Sequence, residues 1–142
     1  MSVRRMPDPC WLCTATHGAR HHGRWVCGTC GWRAGDVIDP DLPRPTIEVV
    51  YYLRYDNRIK IGTTTNPRHR LATLWHDELL AFERGGRNVE QHRHDQFSHL
   101  REGGEWFTAT PELLAHTLEV AAGRDPWNTY LRWLSDALHA LT

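Results

Sequence analysis

Lysine is almost absent from this chain of 142 residues: sixteen of its 17 basic side chains are arginine, and Lys60 is the single lysine. Acidic side chains also number 17, so the formal net charge is zero. The chain therefore has no overall positive field that would indicate a nucleic-acid partner. The charge is uneven, however, because residues 1–45 contain six arginines and four acidic residues.

Long apolar runs are also missing. No stretch approaches the roughly 18 apolar residues that a membrane-spanning helix needs. No apolar stretch follows the basic start of the chain, so no signal peptide is indicated. These absences predict a cytoplasmic protein that has no membrane partner. In that reducing compartment, cysteines are expected to be metal-binding thiolates rather than disulfides.

Four cysteines make two Cys-x-x-Cys pairs, Cys10 with Cys13 and Cys27 with Cys30, and thirteen residues separate the pairs. One pair grips a metal ion with two thiolates, and two pairs complete the tetrahedral site of a structural Zn²⁺. The spacing therefore predicts an N-terminal zinc ribbon. Redox-active or unpaired thiols are the alternative interpretation. Three histidines between the pairs are alternative ligands: His17, His21 and His22.

Composition divides the chain into three segments. Residues 1–45 hold the cysteine pairs and end in a proline-rich stretch, which predicts a stiff linker. Residues 46–109 alternate predicted strands and helices in the order β-β-α-β-α-β, which favours an α/β fold: a small mixed sheet with flanking helices. Residues 110–142 are predicted to form a C-terminal extension of two helices, each starting at a residue followed by proline.

Apolar side chains predict how the helices pack. In the first helix of the middle segment, Leu71, Leu74 and Trp75 recur at helical spacing and are expected to face the core. The last helix has an apolar stripe that we expect to pack on the α/β domain, with a homodimer seam as the alternative. The stripe consists of Trp127, Tyr130, Leu131, Leu134, Leu138 and Leu141.

The side-chain types needed to cleave a phosphodiester occur in order along the middle segment. This hydrolysis needs a base for the attacking water, cations for the developing negative charge, and a metal ion or acid for the leaving oxygen. Tyr51 and Lys60 lie on the first two predicted strands, where a tight turn lets them share one face. Arg70 lies in the first turn of the next helix, where the helix dipole favours a phosphate. Glu90 begins the following helix, and His94 lies one turn along the same face.

The order and spacing of these residues resemble the GIY-YIG nuclease family, especially its phage-type and meiotically up-regulated gene 113 type branch. In that branch the second signature reads Lys-Ile-Gly, whereas Val49 stands where the first signature usually opens with glycine. The resemblance covers about residues 48–108. The matching motifs are Val49-Val50-Tyr51, Lys60-Ile61-Gly62, Arg70, the Glu90, His94 and Phe97 pattern, and Gly104-Glu105-Trp106-Phe107.

The resemblance implies a role for each residue. Tyr51 would be the general base or would position the water, with Lys60 and Arg70 lowering the pKa of its phenol from about 10. Lys60 replaces the usual tyrosine of the second signature, and Arg70 would steady the transition-state phosphate. Glu90 would bind one catalytic Mg²⁺ or Mn²⁺. His94 matches the branch pattern and joins the catalytic set.

Each residue also has a structural interpretation. Tyr51 suits strand packing, Lys60 and Arg70 suit exposed positions, Glu90 suits the first turn of a helix, and His94 suits the surface. The joint order favours a metal-dependent DNA endonuclease from a phage, a mobile element or a defence locus. The alternatives are a zinc-dependent nucleic-acid-binding protein with an inactive nuclease domain, and a zinc-ribbon module that recruits a partner.

The zinc ribbon itself has two interpretations. Its arginines, histidines and tryptophans are expected to form a DNA-contacting face. The alternative is a purely structural lid on the second domain. The tryptophans concerned are Trp11, Trp25 and Trp32.

Overall fold

The computed structural model describes residues 2–141, which divide into two compact units. The first unit joins the segment up to Pro45 with the segment from Trp127 onward, and the second unit is Thr46–Pro126. Residues 2–141 form two sheets and four α-helices, so the predicted α/β class is confirmed. No helix of residues 2–141 is both long enough and apolar enough to cross a membrane.

Eight strands and four α-helices follow one another along the described residues. The strands are β1 Arg4–Arg5, β2 His17–His21, β3 Arg24–Cys27, β4 Val49–Tyr55, β5 Arg58–Thr64, β6 Glu78–Arg84, β7 Arg101–Gly103 and β8 Trp106–Thr108. The helices are α1 Pro67–Thr73, α2 Arg87–Gln96, α3 Pro111–Ala121 and α4 Pro126–His139, with a short 3₁₀ helix at Ser98–Leu100.

The sheet of the second unit has the order β6-β4-β5-β8-β7, with every neighbouring pair antiparallel. The predicted element order is present, and β7 is an additional edge strand formed by the glycine-rich turn before β8. The internal strand β4 is buried from Val49 to Leu53 because it is flanked by two strands and covered on both faces. One face holds the main core, which includes Phe97, the residue that follows α2, and Leu113 of α3. The strand residues of this core are Val50, Tyr52, Ile59, Ile61, Ala81 and Phe107.

Side-chain capping determines where two of these helices begin. Asn66 precedes Pro67, and its side chain accepts a hydrogen bond from the amide of His69. Thr110 precedes Pro111 and accepts from the amide of Leu113 in the same way. Both arrangements satisfy amides that the first turn leaves unpaired, and proline fits the first helical position.

Two packing predictions were wrong. Helix α1 ends at Thr73, so Trp75 lies beyond it and is 83% exposed, whereas Leu71 is buried as expected. The leucines of the C-terminal stripe pack against the cysteine cluster of the first unit, where the sequence predicts packing on the α/β domain, and α3 packs on the sheet of the second unit. Residues 110–142 are therefore not one extension. The small N-terminal segment has too little apolar surface for a core of its own, and the leucines of α4 complete it.

A polar network borders the main core of the second unit. The Tyr52 hydroxyl donates to Glu83 at 2.7 Å and contacts Nε2 of His116 at 3.0 Å. Arg93 on α2 donates to both oxygens of Glu83, at 3.0 and 2.5 Å. Burial alone would raise the pKa of Glu83, but the hydrogen bonds from Arg93 and Tyr52 lower it below its ordinary value. The ionised carboxylate thus ties α2 to β4 and β6.

Replacing Glu83 with Gln should lower the free energy of unfolding by about 2 kcal/mol at neutral pH, because two charge-assisted hydrogen bonds are lost. Glu83 has a lowered pKa in the folded state, so its contribution is complete above the ordinary glutamate pKa of about 4.3 and is lost as the pH falls through the folded value. Urea unfolding at pH 7 and pH 3.5 measures this. Glu78→Gln, an exposed position on the same strand, is the control. A Glu83→Gln deficit that grows on acidification would contradict the assignment.

Candidate functional site

Four thiols converge in the first unit. The Sγ atoms of Cys10, Cys13, Cys27 and Cys30 all lie within 4.8 Å of one another, and no disulfide joins them. Two of the Sγ–Sγ distances, Cys10 to Cys30 and Cys13 to Cys27, are 3.6 Å. Zn–S bonds of about 2.3 Å at tetrahedral angles place neighbouring sulfurs about 3.8 Å apart. The cluster therefore has the ligand type, number and spacing that a zinc ion needs.

Local backbone geometry creates the cluster. Gly31 has φ +80°, a left-handed conformation that suits glycine, and its amide donates to the Cys27 carbonyl. The amide of Thr29 points at the Cys27 sulfur at 3.4 Å. Burial alone would raise the pKa of Cys27, but the amides of Cys30 and Thr29 lower it. These amides favour the thiolate of Cys27, the form that binds metal, whereas burial raises the pKa of Cys30.

The predicted catalytic residues Tyr51 and Lys60 share one face of the second sheet. Antiparallel register pairs Tyr51 with Gly62 and Leu53 with Lys60, and cross-strand partners project on the same side. Lys60 is only 17% exposed, and its Nζ lies 3.8 Å from a carboxylate oxygen of Glu105. The structural interpretation of Lys60 as a solvated strand residue therefore does not hold.

Arg70 contacts the phenol of Tyr51. Its Nε donates to the Tyr51 hydroxyl at 3.5 Å, a long hydrogen bond between α1 and β4. The residue is otherwise exposed, so its guanidinium keeps donors for a further ligand. The predicted pair of a phenol and an arginine is thus brought together. The phenol of Tyr51 is buried, and the guanidinium of Arg70 is open to solvent.

The pKa of Tyr51 moves in the direction opposite to the sequence-based expectation. Tyr51 is fully buried, and burial is the main reason that the pKa of its phenol is raised. The hydrogen bond from Arg70 lowers it, whereas the negative charges of Glu105 and Glu90 raise it further. The sequence did not reveal that two carboxylates face this phenol. Tyr51 therefore stays protonated at neutral pH.

Gly62 makes the close approach of these groups possible. A Cβ at this position would lie 2.6 Å from the ring carbon Cζ of Tyr51 and 2.8 Å from Oε2 of Glu105. Such distances are too short for carbon, so any side chain would displace the phenol or the carboxylate. The glycine of the Lys60-Ile61-Gly62 motif is therefore required by packing of the site.

Glu90 carries an orphaned oxygen. It lies in the first turn of α2, and its Oε2 is buried with no hydrogen-bond partner among the described residues. Burial raises the pKa of this carboxyl, and the charge of Glu105 raises it further. A buried carboxylate oxygen without a donor is costly and uncommon. A hard divalent cation is the kind of ligand that such an oxygen fits.

His94 is buried, whereas its structural interpretation predicts a position at the surface. Its Nε2 lies 2.8 Å from the Ile61 carbonyl, so this nitrogen is the donor, and its ring packs on Phe107 at 5.1 Å between centroids. The histidine therefore joins α2 to β5, directly beside Lys60 and Gly62. This contact positions Glu90, which lies one turn earlier on the helix, and leaves Nε2 unavailable for proton transfer.

Glu105 belongs to the Gly104-Glu105-Trp106-Phe107 motif, and the sequence alone predicts no separate role for it. The structure places its carboxylate beside Lys60 and above Gly62, where it influences Tyr51, Arg70 and Glu90 electrostatically. Its carbonyl also accepts a hydrogen bond from the Ile61 amide, at 2.9 Å. One sequence feature could have indicated this role: Glu105 lies between a double glycine and two aromatic residues. Such a position suits a tightly positioned polar side chain.

Comparison with known families shows that the T5orf172 domain matches residues 48–122. The match covers the second sheet, the whole Tyr51 face and helix α3. No curated protein and no solved structure was found to match the chain.

Replacing Cys30 with Ser should abolish zinc binding and unfold the first unit, because a metal ion substitutes there for a larger core. His21→Ala is the matched control, since the four cysteines are the metal-binding group found among residues 2–141. We expect one equivalent of zinc in the wild type and in His21→Ala and none in Cys30→Ser, by atomic absorption. Near-ultraviolet circular dichroism reports the buried Trp32. Full zinc occupancy in Cys30→Ser would contradict the assignment.

Proposed function

The chain belongs to the T5orf172 domain family, and we propose that it is a metal-dependent DNA endonuclease with a GIY-YIG-like catalytic domain. This domain is found in phage-type and homing-endonuclease-like proteins. One observation carries the proposal: the orphaned carboxylate oxygen of Glu90 lies in the same cluster as a phenol, a lysine and an arginine. That combination suits cleavage of a phosphodiester.

Glu90 is the residue that would hold the catalytic Mg²⁺ or Mn²⁺. Mg²⁺ keeps several water ligands and is commonly held by one or two carboxylates, so one glutamate is a sufficient anchor. The ion would supply Lewis-acid stabilisation of negative charge on the phosphate oxygens. The nearby Glu105 is paired with Lys60 and adds negative charge that favours a cation at this position.

The other side chains orient the phosphate and the attacking water. Arg70 keeps free donors and would bind the scissile phosphate, while Lys60, held by Glu105, would offset charge developing on it. Tyr51 has a raised pKa, so in this mechanism it acts through a hydrogen bond that positions the water rather than as a phenolate. His94 acts through Ile61 as a positioning residue.

The zinc ribbon would add DNA affinity outside the catalytic face. Arg4, Arg5, Arg20 and Arg24 lie exposed on its three strands. Cationic side chains bind DNA phosphates with little dependence on base sequence. We therefore propose a structural Zn²⁺ that organises a DNA-binding surface, with DNA as the partner.

One observation favours the second candidate, a zinc-dependent nucleic-acid-binding protein whose nuclease domain is inactive. The Tyr51 phenol is fully buried and its pKa is raised, which makes it a poor base. An inactive domain would bind DNA without cutting it at any divalent metal concentration. The two candidates therefore differ in one measurable property, which is metal-dependent cleavage.

Zinc-loaded protein should nick or linearise supercoiled plasmid when Mg²⁺ or Mn²⁺ is added, and Glu90→Ala and Glu90→Gln should abolish the cutting. Removing the buried orphaned charge should also raise the melting temperature of the metal-free Glu90→Gln protein, because an unpaired buried carboxylate is unfavourable. Gel electrophoresis and thermal unfolding measure the two effects.

Asp95→Ala is the matched control for Glu90, since Asp95 is an exposed acid on the same helix. It should retain full cleavage. Cutting by a clean Glu90→Ala preparation would refute the metal role of Glu90. DNA binding by the wild type with no cutting of plasmid or of branched DNA would favour the inactive-domain candidate.

Tyr51→Phe should slow cleavage by about 100-fold, the typical contribution of one positioned proton-handling group. The ring fills the same buried volume, so the free energy of unfolding should change little. Tyr55→Phe, on the same strand and stacked with Arg58, is the control and should cleave normally. Single-turnover rates measure the effect. Unchanged cleavage by Tyr51→Phe would show that the phenol only packs.

A further inference from the structure

A cavity lined by tryptophans lies beside the cysteine cluster of the first unit. Its volume is about 340 Å³, and its wall includes Met6, Cys10, Trp11, Trp25, Trp32 and Val37. This volume is within the range of small-molecule sites, roughly 300–1,000 Å³. The proposed zinc ion needs only the space between the four sulfurs, so the cavity serves no purpose in metal binding.

The aromatic wall is preformed and open to solvent. Trp32 is 2% exposed and contacts both Trp11, at 5.2 Å between ring centroids, and His139, stacked at 4.7 Å and 14°. Trp11 therefore packs against a buried ring, yet it is 57% exposed. Val37, also in the wall, is 80% exposed. Large apolar side chains that remain exposed around one cavity indicate a ligand site.

Two arginines lie next to Trp25, a residue of the cavity wall, on the same face of the first sheet, although neither lines the cavity itself. The register pairs Arg4 with Gly18 and Arg20 with Trp25, so both guanidinium groups project on the side of Trp25. They lie 5.1 and 5.8 Å from the centroid of the Trp25 ring. Neither arginine has a carboxylate partner among the described ion pairs. Their charge is therefore available to an anionic ligand.

The wall contains two acidic residues, and only Asp8 has no cationic partner among the described ion pairs, so the charge of the two arginines outweighs that of the acids. Asp36 is neutralised by Arg24 at 2.6 Å and Arg33 at 2.9 Å. Asp8 is exposed and offers a hydrogen-bond acceptor at the rim. A ligand for this cavity should therefore combine a flat apolar ring with an adjacent anion. A cationic ligand such as a methylated ammonium would be repelled by Arg4 and Arg20.

We propose that this cavity binds an unpaired base of DNA, stacked on Trp11, with the adjoining phosphates at Arg4 and Arg20. The assignment rests on the proposed function, since it names the DNA feature that the zinc ribbon selects. A base inside an intact duplex cannot reach a cavity, so the site takes a bulged or otherwise extrahelical base. Stacking on an aromatic side chain is tolerant of base identity, so the selection is for DNA structure rather than sequence.

The test compares two duplexes that differ by one bulged adenine. Zinc-loaded full-length protein without added Mg²⁺ should bind the bulged duplex about tenfold more tightly than the fully paired one, by fluorescence anisotropy. Trp11→Ala should remove this preference, and Trp11→Phe should retain most of it. Trp75→Ala, an exposed tryptophan of the second unit, should leave it unchanged. Equal affinity of the wild type for both duplexes would overturn the proposal.

A second measurement uses the wild type alone. With 2-aminopurine as the bulged base, binding should quench its fluorescence, because the base stacks on an indole ring; unquenched binding would overturn the proposal. Zinc content of Trp11→Ala confirms that its module is folded. Plasmid cleavage without preference for a bulge would refute this inference and leave the nuclease proposal intact. Bulge-selective binding without cleavage would support base binding in the cavity and refute the proposed nuclease activity.

Discussion

The antiparallel register between β4 and β5 is the constraint on which the candidate site depends. It sets Tyr51 opposite Gly62 and puts Lys60 on the same face, while Tyr52 and Ile61 project into the core. A slip of one residue would put Tyr51 and Lys60 on opposite faces of the sheet, so that either the phenol or the ammonium would point into the apolar side. The tight turn at Asp56, which has φ +54°, and the backbone pairing therefore specify fold and site together.

Two carboxylates of the second unit differ in how their burial is compensated. The carboxylate of Glu83 is paired with Arg93 and Tyr52 and ties α2 in place. Glu90, one turn before Arg93 on α2, has a buried oxygen with no hydrogen-bond partner among residues 2–141. The paired carboxylate has a lowered pKa and the unpaired one a raised pKa, for the same physical reason: burial is tolerated only where donors compensate it.

The first unit is small, and its rigidity depends on a core that its short N-terminal segment does not form alone. Four convergent thiols and the leucines of α4 share one small core, and Trp32 is buried within it. That core also packs against the exposed Trp11, so an open aromatic surface can remain ordered. A ligand that stacks there meets a preformed site and loses little entropy to ordering the protein.

Features that depend on neighbours along the chain followed from the sequence alone: the α/β class, the helix start at Asn66-Pro67, and the Cys-x-x-Cys pairs that form the thiol cluster. The order of Tyr51, Lys60 and Glu90 was readable for the same reason. Only the tertiary structure decided the rest: the carboxylate of Glu105 beside Lys60, the raised pKa of Tyr51, the bond from His94 to Ile61, and the packing of α4. These depend on which atoms meet through space and lose water together, and no local spacing or periodicity encodes that.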